Sequence, residues 1–304
     1  MMSGAHAIET KGLTKRFGKV EAVRELNLNV SAGQITGFLG RNGAGKTTTV
    51  KMLLGMTRPS AGTGTVLGRP IDDPKQNREM RRHVAYVGED KQLYAYMTVS
   101  QLIRFTRSFY DDWRPEVELS LLKQYQLPLN RRVRALSKGM RTKLALLLAF
   151  SRRPHLLILD EPSEGLDPVS IEELLQTLVR AAGEGTTVFF SSHQIDEVER
   201  IADHICMIDH GSLILDVSLD ELRQNYRRIT LGFSSPPPEF KLRHIAGVEH
   251  VDTQGRQIAL IANRDAESIA EHARRLGAVS VDVDSVSVRQ LFLEKVKERP
   301  DALV

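Results

Sequence analysis

The chain has 304 residues, 41% of them hydrophobic and 26% charged, a composition typical of a folded globular protein with room for one large and one small domain. Its single cysteine, Cys206, excludes an internal disulfide and favours a reducing compartment. The net charge of +4 comes from scattered basic pairs, so it does not establish nucleic-acid binding. Residues 1–10 lack the apolar core of a signal peptide, and the longest apolar run, residues 144–150, is too short to span a bilayer.

Residues 7–33 alternate apolar and polar positions between turns, which predicts antiparallel strands. Phe17, just before Gly18, has two interpretations at this stage. It is either an exposed aromatic that stacks on a nucleotide base or a core residue of the hairpin.

Residues 40–47 have the spacing G-x-x-x-x-G-K-T, between a predicted strand at 34–39 and a predicted helix at 47–55. Glycines let backbone N–H groups approach phosphate oxygens, and the helix N-terminus adds partial positive charge. Lys46 supplies an ammonium for the β- and γ-phosphates, and the Thr47 hydroxyl is a candidate Mg²⁺ ligand. The predicted phosphate-binding residues are Gly40, Arg41, Asn42, Gly43, Ala44, Gly45, Lys46, Thr47 and Thr48. The chain is therefore predicted to bind a nucleoside triphosphate.

Residues 57–90 contain several glycines and prolines and are predicted to form a loop-rich β segment. A helical insertion at about 91–150 follows, with Thr98 and Ser137 as predicted N-caps. The helix start at Ser137 is, on local pattern alone, equally an anion site or a plain capped helix.

Residues 156–159 are apolar and are followed by Asp160 and Glu161, which predicts a buried parallel strand with two carboxylates at its C-terminal end. Asp160 is predicted to hold Mg²⁺, directly or through water. Glu161 is predicted to accept a proton from the attacking water or to orient it. The alternative is a solvated acidic turn.

A turn at 163–167 and a predicted helix at 169–182 lead to a second buried strand, residues 186–193, that ends in His193. An imidazole there either reaches a γ-phosphate or has a structural role. A helix at 196–202 and a strand hairpin at 205–208 and 213–215 complete this part of the chain.

The composition shifts after residue 218, which predicts a separate small α+β module over residues 219–304. Residues 219–228 are predicted as a polar helix or linker and residues 234–238 as a loop. Strands are predicted at 248–252, 257–261 and 279–283, and helices at 266–276 and 288–298. The module has no catalytic constellation, so regulation, dimer support and stability remain open as its role.

Together these motifs resemble the ATP-binding cassette (ABC) ATPase family over about residues 7–218. The phosphate loop, a signature motif at residues 136–140, the Asp160-Glu161 strand end, a dimer-contact loop at 163–167 and a switch histidine, His193, occur in the family's order. The resemblance implies an α/β P-loop NTPase core with an antiparallel β subdomain and a helical insertion. It also implies that Phe17 stacks on adenine and that Ser137 and Gly139 face phosphate.

Two positions depart from the family's pattern. Glu89 stands where the family has a glutamine, and its carboxylate would repel a γ-phosphate unless Mg²⁺ lies between them, so Glu89 is also a candidate metal ligand. Gln92 is the alternative counterpart of that glutamine. The signature carries Lys138 and Met140 in place of glycine and glutamine. These features are similar to those of bacterial exporter ATPases whose membrane subunits are separate chains.

The resemblance implies an ATP-hydrolysing subunit that uses ATP and Mg²⁺ and forms a homodimer through two sandwiched ATP molecules. It implies a separate transmembrane permease as partner, no direct nucleic-acid partner, and a cytoplasmic position on the inner face of the membrane. The alternative is a soluble ABC-type ATPase that acts on nucleic acid or the ribosome. Members of that kind carry two cassettes or long coiled coils, which this sequence lacks. A small-molecule kinase would lack the signature and the switch histidine.

Overall fold

The computed structural model describes residues 6–297, and the chain divides between Asp216 and Val217 into two compact units. The strands of the first unit are β1 (His6–Phe17), β2 (Val20–Leu26), β3 (Asn29–Ser31), β4 (Ile35–Leu39), β5 (Ala61–Val66), β6 (Arg69–Pro70), β7 (Val84–Val87), β8 (Leu156–Asp160), β9 (Thr187–Ser192), β10 (His204–Asp209) and β11 (Ser212–Ser218). Its helices are α1 (Lys46–Leu53), α2 (Pro74–His83), α3 (Val99–Arg107), α4 (Pro115–Tyr125), α5 (Lys138–Phe150), α6 (Pro168–Gly183) and α7 (Ile195–Ile201), with a 3₁₀ turn at Val133–Ala135.

A six-stranded sheet with the order β11-β10-β4-β9-β8-β7 forms the centre of the first unit. The pairs from β10 to β7 are parallel, and their residues are almost continuously buried, as expected for strands covered on both faces. Leu39 pairs with Ser192, and Ser191 pairs with Asp160. This register brings the carboxyl ends of β4, β9 and β8 side by side at one edge.

A second sheet in this unit has the order β2-β1-β5-β6, with β3 also paired to β1. Its pairs are antiparallel, in agreement with the strands predicted over residues 7–33. One hydrophobic cluster joins the two sheets, since it contains Ile8 and Val30 from the antiparallel strands, Phe38 and Phe189 from the parallel strands, and Met52 from α1. Burying each such side chain contributes about 1.5–3 kcal/mol, so this cluster fixes how α1 and its loop meet both sheets.

Helices α3, α4 and α5 lie within the predicted helical insertion. Thr98 closes a capping box with Gln101 at the start of α3, and the Ser137 hydroxyl accepts a hydrogen bond from the Met140 N–H at the start of α5. Residues 144–150, the longest apolar run, are all buried in α5. The predicted mixed α/β class, with an antiparallel β subdomain and a helical segment, is confirmed.

The prediction of a loop-rich β segment over residues 57–90 is wrong for α2. Asp73 caps this ten-residue helix by accepting hydrogen bonds from the N–H groups of Lys75 and Gln76, and Pro74 occupies its first position. The helix buries only Asn77 and Met80, so its sequence lacks the apolar stripe that predicts a helix.

The second unit contains strands β12 (Arg227–Phe233), β13 (Val248–Gln254), β14 (Gln257–Ala262) and β15 (Ala278–Ser285), and helices α8 (Leu219–Asn225), α9 (Glu239–Arg243), α10 (Ala266–Arg275) and α11 (Val288–Lys297). The prediction of a polar helix or linker over residues 219–228 is wrong at its end, because Arg227 and Arg228 are the first residues of β12. Ile229, Leu231 and Phe233 alternate into the core of this unit, so the two-residue period of β12 was present in the sequence.

The four strands of the second unit form one antiparallel sheet with the order β13-β14-β12-β15. With α9 after β12 and α10 after β14, this is the split β-α-β arrangement of ferredoxin-like folds. The sheet and α10 share a hydrophobic cluster that includes Leu231, Leu260 and Ile269.

Among residues 6–297, none of the helices combines the length and the apolar character needed to cross a membrane. Two short stretches lie outside the described residues. They are residues 1–5, which belong to the segment predicted not to be a signal peptide, and residues 298–304, which include the last residue of the predicted terminal helix.

The core of the second unit is predicted to be dispensable for nucleotide binding. Leu231→Ala removes a fully buried side chain from the central strand β12 and should cost about 2–5 kcal/mol of stability in that unit. Calorimetry should show a lower unfolding temperature for one transition, while ATP affinity measured by fluorescence stays unchanged. Leu293→Ala, at a half-exposed position on α11, is the control and should shift neither quantity. A parallel loss of ATP affinity in Leu231→Ala would contradict the prediction.

Candidate functional site

The predicted phosphate loop lies between the end of β4 and the start of α1. Gly45, just before α1, has φ 109°, and a Cβ there would lie 2.5 Å from the Ala22 carbonyl oxygen, so only glycine fits. A Cβ at Gly40 would lie 2.6 Å from the carbonyl oxygen of Ile208. The Lys46 ammonium folds back over the loop and donates to the Gly40 carbonyl at 2.7 Å.

A cavity of about 590 Å³ opens over this loop. The predicted site residues that line it are Arg41, Asn42, Gly43, Gly45, Lys46, Thr47, Thr48, Glu89, Glu161 and His193. Four strand ends of the parallel sheet supply these side chains, because β4, β7, β8 and β9 finish at the same edge. The cavity has the size and the mixed charge expected of a site for a nucleotide's phosphates.

The Glu161 carboxylate lies between two cationic or ionisable groups. Its Oε1 is 3.1 Å from the Lys46 Nζ, and its Oε2 is 2.8 Å from the His193 Nδ1. Both Lys46 and Glu161 are about 6% exposed, and Glu161 has a left-handed backbone with φ 48°, which is strained for a non-glycine residue. The burial of Glu161 does not fit the alternative of a solvated acidic turn, whereas the role of His193 stays a prediction.

Asp160 is fully buried at the end of β8. Its Oδ1 accepts a short hydrogen bond from the Ser191 hydroxyl, and its Oδ2 has no hydrogen-bond partner within the described residues. A second cavity of about 420 Å³ beside the first is lined by Thr47, Glu89 and Asp160, the three predicted Mg²⁺ ligands. An unpartnered buried carboxylate oxygen near a hydroxyl and a second carboxylate is the oxygen-rich ligand set that Mg²⁺ prefers, so these residues fit the ion.

Several predicted residues do not line the phosphate cavity. Ala44 is buried in the loop, and the Gly40 carbonyl accepts a hydrogen bond from Lys46.

Phe17 is 54% exposed, which excludes the alternative of a core residue, and the Lys15 ammonium lies 4.9 Å from its ring centre. Its role in base stacking stays a prediction.

Ser137 and Gly139, at the helix start, also do not line the cavity that contains Lys46. Gln92, the alternative to Glu89, lines only the second cavity, whereas Glu89 lines both. Glu89 is therefore the better placed of the two for contact with a bound phosphate and its metal.

Three charged residues near the site were missed by the sequence predictions. Glu164 lines the phosphate cavity, and Lys91 lies with its ammonium 3.5 Å from the Glu161 carbonyl oxygen. Glu197 lies behind the site on α7, where its Oε2 accepts hydrogen bonds from Ser163 at 2.8 Å and Ser192 at 3.4 Å. No local pattern marks any of the three, since each owes its position to chain segments far apart in sequence.

Burial raises the pKa of the Glu197 carboxyl above its ordinary value of 4.5, with a smaller contribution in the same direction from Glu161. The nearby His193 and the two serine hydroxyls oppose that shift. Folding therefore favours the neutral form of Glu197 relative to the unfolded state.

The comparisons with known proteins agree with this geometry. A family model described as ABC transporter matches residues 23–164. The bacitracin transport ATP-binding protein BcrA of Bacillus licheniformis is 35% identical over 224 residues, which cover 73% of this chain and 72% of that protein.

A further relative and one solved structure extend the comparison. The uncharacterized ABC transporter ATP-binding protein YhaQ of Bacillus subtilis is 31% identical over 293 aligned residues. The alignment covers 93% of this chain and 96% of YhaQ, so the similarity continues into the second unit. A structure described as the ATP binding subunit of an ABC transporter superposes with a TM-score of 0.66 at 29% identity, covering 72% of this chain and 92% of that one.

The ionisation of Glu197 predicts a pH-dependent effect of its substitution. Because its folded-state pKa is raised, the stability that protonation provides is present at low pH and is lost as the pH rises through the raised pKa. Glu197→Gln should therefore raise the thermal midpoint at pH 8, by about 2–4 °C if the cost is ~1 kcal/mol, and should give no gain below pH 4.5. Thermal melts across that pH range test this, with the exposed Glu116→Gln as control. A midpoint that falls at pH 8 would contradict it.

Proposed function

This chain belongs to the family of ABC transporter ATP-binding subunits, and from that membership we propose that it hydrolyses ATP to power export through a separate membrane permease. The observation that carries the proposal is the cavity over the phosphate loop, in which Lys46, Glu161 and His193 converge. Phosphoryl transfer needs positioned cations and a group that orients water, and the cavity supplies both.

In the proposed reaction, loop amides and Lys46 hold the β- and γ-phosphates. Lys46 leaves Glu161 for the phosphate, and Glu161 is then free to accept a proton from the attacking water. His193, which Glu161 orients through its Nδ1, faces the γ-phosphate from the end of β9. Asp160, Thr47 and Glu89 would hold Mg²⁺, which when bound neutralises phosphate charge. Glu89 lines both cavities, so it senses the loaded site and passes the change to the adjoining helical segment.

The proposed working unit is a homodimer. Ser137 and Gly139 do not line the cavity of their own chain, and in the proposal they serve the ATP held by a second copy, as the family's signature does. Each subunit offers one phosphate loop and one signature, and two copies complete two sites. Adenine stacking by Phe17, which is exposed at the end of β1, belongs to the same proposal.

The permease partner is supported by an exposed aromatic surface, which we call the aromatic patch. It consists of Tyr94, Tyr96, Phe105 and Phe109, exposed by 51%, 67%, 38% and 66%. Tyr94 and Phe105 have ring centres 5.5 Å apart, and Phe105 and Phe109 5.0 Å apart, so the four rings form one contiguous surface. Such a surface fits a short helix of a membrane subunit. The proposal therefore includes a position at the cytoplasmic face of a membrane and no nucleic-acid partner.

The role of Glu161 is tested by Glu161→Gln, which keeps the shape of the side chain but removes its basicity. Steady-state hydrolysis should fall by about 10²-fold or more, while ATP still binds. Glu172→Gln, which alters an exposed ion pair with Arg200, is the matched control and should hydrolyse ATP at the normal rate. Turnover near the normal rate in Glu161→Gln would assign the base to another residue.

The aromatic patch is tested by Tyr96→Ser combined with Phe109→Ser. Removing two exposed rings should cut the membrane-bound fraction of the protein in its source cell several-fold, because the docking surface is lost. Hydrolysis by the purified variant should be unchanged. Leu119→Ser removes another 66% exposed apolar side chain, on α4, and should leave the membrane-bound fraction as it is. Equal membrane-bound fractions in the two variants would exclude the aromatic patch as the docking surface. An unaltered protein with no membrane-bound fraction would favour the soluble ATPase acting on nucleic acid or the ribosome.

A further inference from the structure

An ion pair at the signature motif is explained by none of the roles described above. The Lys138 Nζ, in the first turn of α5, lies 2.6 Å from the Oε1 of Glu164, which follows β8 in the loop before α6. Both partners are partly open to solvent, with side chains 54% and 35% exposed. Solvent weakens an exposed pair of this kind, so it holds the two side chains only loosely.

Two glycines bring the pair together. A Cβ at Gly139 would lie 3.0 Å from the carbonyl oxygen of Gly165. Gly165 has φ 79°, and a Cβ there would lie 2.9 Å from the Lys138 side chain. Backbones that approach this closely fix the loop after β8 against the start of α5. The charges of Lys138 and Glu164 are therefore set opposite each other by main-chain packing.

Glu164 also belongs to the phosphate cavity of its own chain, with Lys46, Glu161 and His193. Lys138 holds the pKa of the Glu164 carboxyl below its usual range, and Lys91 and His193 lower it further, so the side chain is a carboxylate at neutral pH. Lys138, by contrast, does not line that cavity. One ion pair thus joins a residue of the chain's own ATP site to a residue of the signature.

We propose that Lys138 is a phosphate-binding residue of the ATP site in the second copy of the chain, and that Glu164 holds it until that ATP arrives. The inference rests on the proposed homodimer, in which Ser137 and Gly139 face the second copy's γ-phosphate. Lys138 lies between them in sequence, at the N-terminus of α5, where anions are attracted. A γ-phosphate carries more negative charge than one carboxylate, so it draws Lys138 away from Glu164.

The exchange links the two ATP sites. When Lys138 moves to the second copy's phosphate, Glu164 is left in its own cavity, where Lys91 and His193 are the other groups that interact with its charge. His193 is the residue that Glu161 orients toward the chain's own γ-phosphate. Binding of ATP in one site therefore changes the charge around the histidine of the other.

The experiment measures ATP-dependent dimerisation by light scattering, with every variant in the Glu161→Gln background so that ATP is not consumed. Glu164→Gln frees Lys138 and should lower the half-saturating Mg²⁺-ATP concentration for dimerisation by about two- to fivefold. Lys138→Gln should raise it by at least as much and should weaken its dependence on salt. Lys143→Gln, which removes a cation from the same helix and its pair with Glu173, is the control and should have no effect.

The exchanged pair, Lys138→Glu with Glu164→Lys, separates the proposal from a structural role. A pair that only braces the loop is restored by the exchange, and normal dimerisation would overturn the proposal. Under the proposal dimerisation stays impaired, because Glu at position 138 repels the phosphate. Unchanged half-saturation in both Glu164→Gln and Lys138→Gln would also overturn it. A parent Glu161→Gln protein that binds ATP by fluorescence but never dimerises, even with its permease, would instead refute the proposed homodimer.

Discussion

The Glu161 carboxylate holds the two groups around which the phosphate cavity is built. It binds Lys46 through one oxygen and His193 through the other, at 3.1 and 2.8 Å, in a site where Lys46 and Glu161 are almost fully buried. A buried cation without a partner is costly, so the contact with Glu161 holds the Lys46 side chain in the cavity. The left-handed backbone at Glu161 turns the carboxylate into that position. The structure therefore brings Glu161, the proposed base, into contact with Lys46, the proposed phosphate-binding cation.

The parallel sheet makes this contact possible. Asp160 pairs with Ser191 and Leu39 pairs with Ser192, so the end of each strand is fixed next to the end of its neighbour. The same edge leaves the Asp160 Oδ2 without a hydrogen-bond partner in the described chain and beside Thr47 and Glu89. The carboxylate and hydroxyl oxygens of Asp160, Glu89 and Thr47 at this edge are suited to hold a divalent cation beside a nucleotide.

Much of the site could be predicted from the sequence because its motifs are local. The glycine loop, the helix that follows it, and a strand ending in two carboxylates are each set by a few adjacent residues. His193 could not be assigned locally, since its contact with Glu161, at 2.8 Å, joins two different strand ends. Phe17 stood between two interpretations until its exposure excluded the core. Two elements were missing from the sequence prediction. Helix α2 lacks an apolar stripe, and strand β12 begins with two arginines.

The sequence by itself determined the phosphate loop, the acidic strand end, the caps at Thr98 and Ser137, and hence the family resemblance, because backbone turns and caps depend on neighbouring residues. Only the tertiary structure decided which charges meet. Lys138 and Glu164 lie 26 residues apart, and Lys46 and Glu161 belong to different strand–helix units. Their contacts follow from sheet order and from the close approach of Gly139 and Gly165, and no local pattern carries that information.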